Sequence, residues 1–326
     1  MFSSRPRRAR LAGRLAVPLC LALLAGCVGD TRAYYAQTLD DYLERGLLRD
    51  ETAPDDAPFD DADLIRSFRR LAFRVEFTPG ETLDATSAAV PLLKWRGPVR
   101  WKLMGDRVRA EDGPALRAYL ARLSELTGLD FVETARRQPA DIHVMIAGPQ
   151  MRARFAQTLE TTPTGARLPL MRRWSRDERW PCVSALFVHR TAEGPRRSAT
   201  VAIRGETRGL QRQACFEEEL AQVLGLLNDD DEARPSIFND DQEFALLTEH
   251  DEYLLRILYD PRLRAGMSAK EGMPIVRRIV AEIGPDRQEA AQAASEAGRS
   301  AGRGADQAAD RGAPLGATPT DAAAAR

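Results

Sequence analysis

The sequence predicts a single α+β domain in which a twisted sheet packs against two long helices. Residues 98–104 alternate between polar and apolar side chains, as a strand with one buried face does. Residues 115–127 and 210–227 instead repeat their apolar side chains every three or four positions, which is the period of a helix with one buried stripe. Because both patterns occur within one continuous stretch, we expect the two helices and the sheet to share one core.

The other elements are predicted from the same two periods. Asp60, Asp61 and Asp63 precede an apolar stripe, which indicates that a helix begins there. The stretch 150–180 is rich in arginine and follows neither period, so we expect a long irregular surface segment. Further strands are expected at 129–133, 141–147, 184–189 and 198–204, and a last helix at 248–259. The residues expected to meet in the core are Leu116, Leu120, Leu123, Val144, Ile146, Val201, Leu220, Val223 and Leu224.

The composition argues against several classes of protein. The 326 residues include 47 basic and 48 acidic ones, and 44% of them are hydrophobic, which suits an ordered core. A nucleic-acid-binding protein normally carries a basic excess on one face, and no such excess is visible. No apolar run reaches the roughly 18 residues that a membrane-spanning helix needs. We therefore expect an ordered protein with no nucleic-acid partner and no spanning helix.

The N-terminus has the features of an export signal. An arginine-rich start is followed by an apolar stretch at 15–24 and then by Leu24-Ala25-Gly26-Cys27. This ending resembles the lipobox of bacterial lipoproteins. The resemblance implies that the chain is cut before Cys27, that the Cys27 sulfur is diacylated, and that the new amine is acylated too, with palmitate among the acyl chains. The alternative is an ordinary signal peptide followed by an unrelated cysteine.

Location and domain boundaries follow from this signal. Val28 stands where a signal for retention in the inner membrane would place Asp, so we expect an outer-membrane lipoprotein that faces the periplasm, with the inner membrane as the alternative. The predicted segments are a signal peptide at 1–26, a lipidated cysteine and a spacer with a short helix at 27–59, the globular domain at 60–284 and a disordered Ala/Gly-rich tail at 285–326.

Two cysteines remain for the folded domain. Export removes Cys20 and lipidation uses Cys27, which leaves Cys182 and Cys215 in an oxidising compartment. Two such cysteines most often form a disulfide. The bridge would close a loop of about 33 residues and stabilise the fold by about 3–4 kcal/mol. The alternatives are two buried thiols, or a metal site that lacks nearby histidines.

The segment most suggestive of chemistry is Glu218-Glu219-Leu220-Ala221-Gln222-Val223-Leu224-Gly225-Leu226-Leu227-Asn228-Asp229. On a helix, its leucines and valine form a core stripe. Glu218, Gln222 and Gly225 lie on the opposite face, and Glu219 lies on the flank of that face. Two carboxylates and an amide are therefore expected to face a cleft. Gly225 is expected to end the helix with a positive backbone angle.

This layout resembles the zinc-binding helix of the metzincin metalloproteases, particularly the matrixin type. That motif reads His-Glu-x-x-His-x-x-Gly-x-x-His/Asp, with three metal ligands and one catalytic Glu. Gly225 matches the Gly, and Glu219 falls at the catalytic position. The three ligand positions hold Glu218, Gln222 and Asn228, the last of which is followed by Asp229. The resemblance therefore implies a zincin-like fold whose zinc ligands have been lost.

A closer resemblance is to the proteobacterial lipoproteins grouped as domain-of-unknown-function family 2927, whose members are generally predicted to be secreted or lipid-anchored. It implies a fold and a location more than a reaction. The matching residues are Cys215, Glu218-Glu219, Gln222, Gly225, Asn228-Asp229, Ser236-Ile237-Phe238-Asn239-Asp240, Asp251, Leu258-Tyr259-Asp260-Pro261 and Gly266-Met267.

No metal or cofactor is expected. The three histidines, His143, His189 and His250, are spread over separate predicted elements, and a neutral glutamine amide is a poor zinc ligand. We expect His250 to face solvent and Asp251 to bond backbone at a helix start. A hard-cation site is the alternative to a simply solvated acidic loop. Its oxygen ligands would come from Glu218, Asn228, Asp229 and Asp231.

The expected function is non-catalytic binding or scaffolding in the cell envelope by a membrane-anchored lipoprotein with a degenerate zincin-like domain. The membrane is its partner through the lipid anchor, and an envelope protein or peptide is its expected partner at the cleft. A peptidase-like hydrolase that uses Glu219 with a non-standard metal site is the alternative, and a structural protein with a filled cleft is a third class. The candidate cleft residues are Glu218, Glu219, Gln222, Asn228 and Asp229.

Overall fold

The computed structural model describes residues 31–75, 88–135, 137–162, 168–191, 194–285 and 287. The predicted signal peptide and the lipidation site Cys27 lie outside these residues. The predicted tail lies outside them too, apart from residues 285 and 287. Within the described ranges, no helix is both long and apolar enough to cross a membrane.

Helices and strands alternate along the described chain in a mixed α+β domain. The helices are α1 Thr31–Glu44, α2 Asp61–Ala72, α3 Asp112–Thr127, α4 Pro149–Thr161, α5 Pro169–Arg176, α6 Gly209–Leu224, α7 Glu249–Tyr259 and α8 at residues 269–285. The strands are β1 Arg74–Val75, β2 Ala88–Ala89, β3 Val99–Gly105, β4 Phe131–Glu133, β5 Ile142–Ala147, β6 Cys182–Thr191 and β7 Gly194–Arg204. The two long helices predicted from sequence are α3 and α6.

Five of the strands form one sheet in the order β4-β3-β5-β7-β6. Strands β4, β3, β5 and β7 run parallel to one another, and β6 runs antiparallel to β7. Strand β6 is therefore an edge strand with one neighbour. Strands β1 and β2 pair separately as a small antiparallel ribbon.

Alternating side chains of the sheet enter two cores, because successive residues of a strand point to opposite faces. Val144 and Ile146 of β5 enter the larger core with α2, α3, α6, α7 and α8. Met145 and Ala147 of the same strand enter a smaller core with α4 and α5. All nine predicted core residues lie in the larger core, so that prediction is confirmed.

Helix α6 is held inside the domain at both of its ends. Near its start, the buried Arg212 guanidinium pairs with the buried Asp112 carboxylate at the start of α3, at 2.9 Å. At its end, Gly225 has φ 129°, a positive angle as predicted. A Cβ atom at this position would also collide with the backbone oxygen of Leu93, so only glycine fits there.

The expectation of an irregular segment at 150–180 is wrong, because α4 and α5 lie there. Met171 and Trp174, three residues apart, bury one side of the short helix α5. Arg152 of α4 is buried because it pairs with the buried Glu206 at 2.7 Å. Helices are recognised in a sequence because their buried positions are apolar. A buried arginine, whose charge is balanced by a carboxylate far along the chain, does not follow this pattern.

Two further differences lie in the C-terminal half. Helix α8 was not predicted, although Val276, Ile279 and Val280 are buried at helical spacing. His250 is fully buried rather than facing solvent, and its ring packs edge-on against Phe59 at 5.1 Å between centroids. His250 is therefore buried by Phe59, an aromatic residue of the segment before α2, and this contact is not visible in the sequence of α7.

We expect Leu220→Ala to lower the free energy of unfolding by about 2–5 kcal/mol, because it leaves a cavity in the larger core. Leu43→Ala, at an exposed position of α1, is the matched control and should change stability by less than about 0.5 kcal/mol. Urea unfolding of both variants measures the difference. Equal effects would contradict an internal position for α6.

A buried lysine makes part of the stability pH-dependent. The Lys94 ammonium donates hydrogen bonds to the backbone oxygens of Asp260, at 3.1 Å, and Leu263, at 2.9 Å. Burial lowers the pKa of Lys94 to about 8 in the folded protein. Between this value and the ordinary lysine pKa, the unfolded chain binds a proton that the folded chain does not.

The contribution of Lys94 to the free energy of unfolding should therefore rise as the pH is raised from about 8 towards 10, by roughly 1 kcal/mol per pH unit at most. Lys94→Met should remove that contribution, because methionine does not titrate. Urea unfolding of both proteins at several pH values gives the difference between them. A difference that stays constant over this range would contradict the lowered pKa.

Candidate functional site

A cleft with a volume of about 980 Å³ lies between the edge strand β6 and helix α6. One wall is β6 from Cys182 to His189, and the opposite wall is the face of α6 that carries Glu218 and Gln222. Asp229, Asp240 and Gln242 of the segment between α6 and α7, and Arg179 and Trp180 of the turn between α5 and β6, line other parts of it.

The β6 wall presents backbone groups that its neighbour β7 does not use. The N–H of Arg204 donates to the carbonyl of Pro181 at 2.8 Å, which makes these two residues a hydrogen-bonded pair. Because such pairs alternate along an antiparallel ladder, the N–H and C=O groups of Ser184, Leu186 and Val188 point away from β7. Within the described part of the chain, no other backbone–backbone hydrogen bond reaches β6 from that side.

The α6 wall is built around the amide of Gln222. Its Nε2 donates to Asp229 Oδ1 at 2.9 Å, and its Oε1 accepts a longer hydrogen bond of 3.4 Å from Ser184 Oγ. Gln222 thus connects the helix to β6 on one side and to the following loop on the other. Glu219 is buried beside it, and Glu218 is half-buried.

The structure brings four of the five candidate cleft residues together. Glu218, Glu219, Gln222 and Asp229 all line the cleft. Asn228 is buried, donates to the backbone oxygen of Asp229, and faces a second hollow between α2 and α8. The direction of a side chain just past the end of a helix depends on the local backbone, so spacing along the helix does not predict it.

These residues do not fit the metal that the metzincin resemblance implies. Gln222 replaces a histidine with a neutral amide whose two ends are already engaged. His189 lines the cleft from β6, whereas His143 belongs to β5 and His250 is buried in α7. The hard-cation set is also divided, because Glu218 lines the cleft whereas Asn228 and Asp231 line the second hollow, and only Asp229 lines both. Among the described residues, no three His, Cys, Asp or Glu side chains are grouped so that they could hold a metal ion.

Cys182 and Cys215 form a disulfide, as predicted from sequence, with 5.8 Å between their Cα atoms. Cys182 is the first residue of β6, and Cys215 lies in the second turn of α6. Both line the cleft, so the bridge joins its two walls directly. The separation of the walls is therefore set by a covalent bond.

The carboxylate with the clearest structural role on α6 is Glu217, which the sequence analysis did not single out. Its Oε2 accepts the N–H of Leu247 at 2.6 Å, and its Oε1 accepts from Gln213 at 3.1 Å. Burial raises the pKa of Glu217 above its usual value. Glu217 lies three residues before Leu220 and therefore on the core side of the helix. This spacing could have predicted from the sequence that its carboxylate is buried.

The segment between α6 and α7 is held in place by hydrogen bonds to the buried Asp251. The buried Asp251 carboxylate accepts from Ser236 Oγ at 2.6 Å, and from the N–H groups of Ile237 and Thr248 at 3.0 Å each. Thr248 caps α7 and Asp251 completes the capping box, so the expected backbone-bonding role of Asp251 is confirmed. These residues fix a loop rather than carry out chemistry.

The cleft lies in the part of the chain that matches a known family. A family model described as "Protein of unknown function (DUF2927)" matches residues 61–278. The chain belongs to this family. The matched residues run from the first turn of α2 into α8 and include both walls of the cleft and the disulfide. No curated protein is significantly similar to the chain.

We expect the Cys182→Ala/Cys215→Ala variant to lose about 3–4 kcal/mol of stability, because the loop that the bridge closes is no longer constrained in the unfolded chain. Urea unfolding under non-reducing conditions measures the loss. The wild type with added reductant is the matched control and should lose a similar amount. Thiol labelling of the untreated, denatured wild type that mass spectrometry locates at Cys182 and Cys215 would contradict the bridge.

Proposed function

We propose that this member of the family is a lipid-anchored protein of the bacterial envelope that faces the periplasm and binds an extended peptide segment of another envelope protein without cleaving it. The segment lies in the cleft as an additional strand beside β6. The role is one of binding or scaffolding. The observation that carries the proposal is the backbone edge of β6 within a walled cleft, an edge with which no described residue forms a backbone hydrogen bond on the side away from β7.

An exposed strand edge is a template for an extended peptide, because its free N–H and C=O groups can form a ladder with any sequence. Ser184, Leu186 and Val188 present such groups. The cleft also offers apolar contacts for alternating side chains of a peptide from Leu168, Leu170 and Phe187. Backbone pairing would supply affinity, and these contacts would supply specificity.

The α6 wall supports binding rather than hydrolysis. A zinc peptidase uses a metal to lower the pKa of a bound water, and the neighbouring Glu takes up the proton. Here the ligand positions hold Glu218 and Gln222, and the Gln222 amide is engaged by Asp229 and Ser184. The residues at these positions therefore lack the imidazole nitrogens with which such a peptidase holds zinc beside its Glu.

The anchor and the location rest on the sequence alone. The Leu24-Ala25-Gly26-Cys27 ending favours export, cleavage before Cys27 and acylation. A disulfide in the folded domain agrees with an oxidising compartment such as the periplasm. Export and anchoring together would hold the cleft close to other proteins of the envelope.

The experiment begins with a random peptide library displayed on phage, selected on the purified full chain. The affinity of a selected peptide is then measured by calorimetry. We expect Val188→Pro to weaken binding by about tenfold or more, because proline removes an N–H that points toward the peptide and adds a ring there. Val188→Ala is the matched control, since it keeps the N–H and should bind nearly as the wild type does.

Circular dichroism and urea unfolding check that both variants remain folded, which is expected because the Val188 N–H is not used by β7. Equal affinities of a folded Val188→Pro variant and the wild type would contradict pairing along β6. Failure to select any peptide that the full chain binds would contradict the proposal as a whole.

The same peptides distinguish binding from hydrolysis. Mass spectrometry of a bound peptide after long incubation should show it intact with the wild type and with Glu219→Gln, with or without added zinc. Glu219→Gln should alter stability or affinity only, because no cleavage step depends on this carboxylate. Cleavage by the wild type that disappears in Glu219→Gln would establish the hydrolase alternative instead.

A further inference from the structure

Helix α1, which the sequence analysis assigned to a spacer, is attached to the domain at both ends. Near its start, Thr31 Oγ1 donates to Glu178 Oε1 at 3.3 Å, and the hydroxyl of the buried Tyr35 donates to the Glu178 backbone oxygen at 2.6 Å. After its end, the N–H of the buried Leu48 donates to the backbone oxygen of Gln242 at 2.9 Å. The helix is therefore part of the folded body and not a free tether.

This attachment limits how far the body can be from a lipid anchor at Cys27. Only residues 28–30 separate Cys27 from Thr31. Four consecutive Cα steps span at most about 14 Å even in a fully extended chain. The part of the surface nearest the anchor must therefore be the rim that Thr31 contacts, which is the turn between α5 and β6 around Glu178.

The same rim carries side chains suited to phospholipid headgroups. Arg176 and Arg179 flank Glu178, and their side chains are 56% and 72% exposed. The exposed ring of Tyr34 on α1 adds an aromatic of the kind found at membrane interfaces. The charged side chains around this turn and at the start of α1 are Arg32, Arg172, Arg173, Arg176 and Arg179, together with Glu160, Asp177 and Glu178.

The acidic neighbours leave the arginines able to bind phosphate. Arg179 contacts Asp177 through Nε and Nη2, at 3.1 and 2.9 Å, and Arg176 contacts Glu160. A guanidinium has five N–H donors, so one carboxylate partner does not exhaust it. Planar guanidinium groups are also well matched to phosphate oxygens.

We propose that the rim formed by the start of α1 and the turn between α5 and β6 rests on the phospholipid headgroups of the membrane to which the chain is anchored. Arg176 and Arg179 contact lipid phosphates there. This orientation rests on the proposed anchor at Cys27. It turns the cleft end that contains Arg179 and Trp180 toward the bilayer. A peptide partner would then reach the cleft close to the membrane surface.

The test uses the full lipidated chain in vesicles of phosphatidylethanolamine and phosphatidylglycerol that carry a headgroup-linked fluorescence quencher. A fluorophore is attached, without reductant, to Tyr34→Cys on α1 or to Val132→Cys on β4. The native side chains at these positions are 42% and 41% exposed. Strand β4 is the far edge of the sheet, four strand spacings or about 19 Å from β6.

We expect quenching to be severalfold stronger at position 34 than at position 132. Equal quenching, or stronger quenching at position 132, in a chain that sediments with the vesicles overturns the orientation but not the lipid anchor. A chain that does not sediment with the vesicles overturns the anchor, and the orientation with it. The two failures are therefore distinguishable in one experiment.

A charge-reversal pair tests the role of the arginines. Arg176→Glu/Arg179→Glu should reduce the difference in quenching between the two positions severalfold, because the rim would then repel anionic lipid. Arg277→Glu/Arg278→Glu on α8 is the matched control and should leave the difference unchanged. Thermal unfolding checks that both variants fold. An unchanged difference in the folded α5 variant overturns the assigned lipid contact.

Discussion

The fixed separation of α6 from the edge strand β6 is the constraint on which the rest of the structure depends. The Cys182–Cys215 disulfide joins the first residue of β6 to the second turn of α6. The buried pair of Arg212 and Asp112 holds the start of the same helix. Both attachments are short and internal, so together they fix the first two turns of α6 relative to β6 and α3. The cleft lies directly beyond this fixed point.

An open strand edge beside a cleft needs a physical reason, because exposed strand edges promote aggregation. Strand β6 is ten residues long, and nothing among the described residues pairs with its open side. The α6 wall narrows access to that edge, so that another folded sheet cannot approach it as easily as a single extended segment can. Under the proposed function, the same geometry would protect the edge and admit a single extended peptide.

The positions shared with the metzincin motif take on a structural meaning in this context. Gln222 joins α6 to Ser184 of β6 and to Asp229 of the following loop. Where a histidine would present a ring nitrogen to a metal, this amide connects the two walls. Glycine is needed at position 225 because the backbone of Leu93 lies against it, a packing requirement that does not depend on catalysis.

Much of this architecture could be predicted from the sequence. The prediction succeeds where the apolar side chains of a segment repeat with the period of a helix or strand and are also the ones that the fold buries. Helices α3 and α6 and the strands of the main sheet have clear periods, and the disulfide was predicted from the two cysteines expected to remain after export. Prediction from the sequence fails where a distant partner decides burial. Arg152 is buried by Glu206, and His250 is covered by Phe59, so neither fits the polarity of its own segment. The direction of Asn228 depends on the backbone that follows the end of α6 at Gly225, which the helical period does not describe.

The most direct test of the central claim is residue-resolved amide hydrogen exchange of β6 with and without a selected peptide. Binding as an added strand predicts strong new protection at Ser184, Leu186 and Val188, whose N–H groups point away from β7. Ala185 and Phe187, which already pair with β7, should change little. Protection confined to other parts of the surface, or absent from these three amides, would contradict the account.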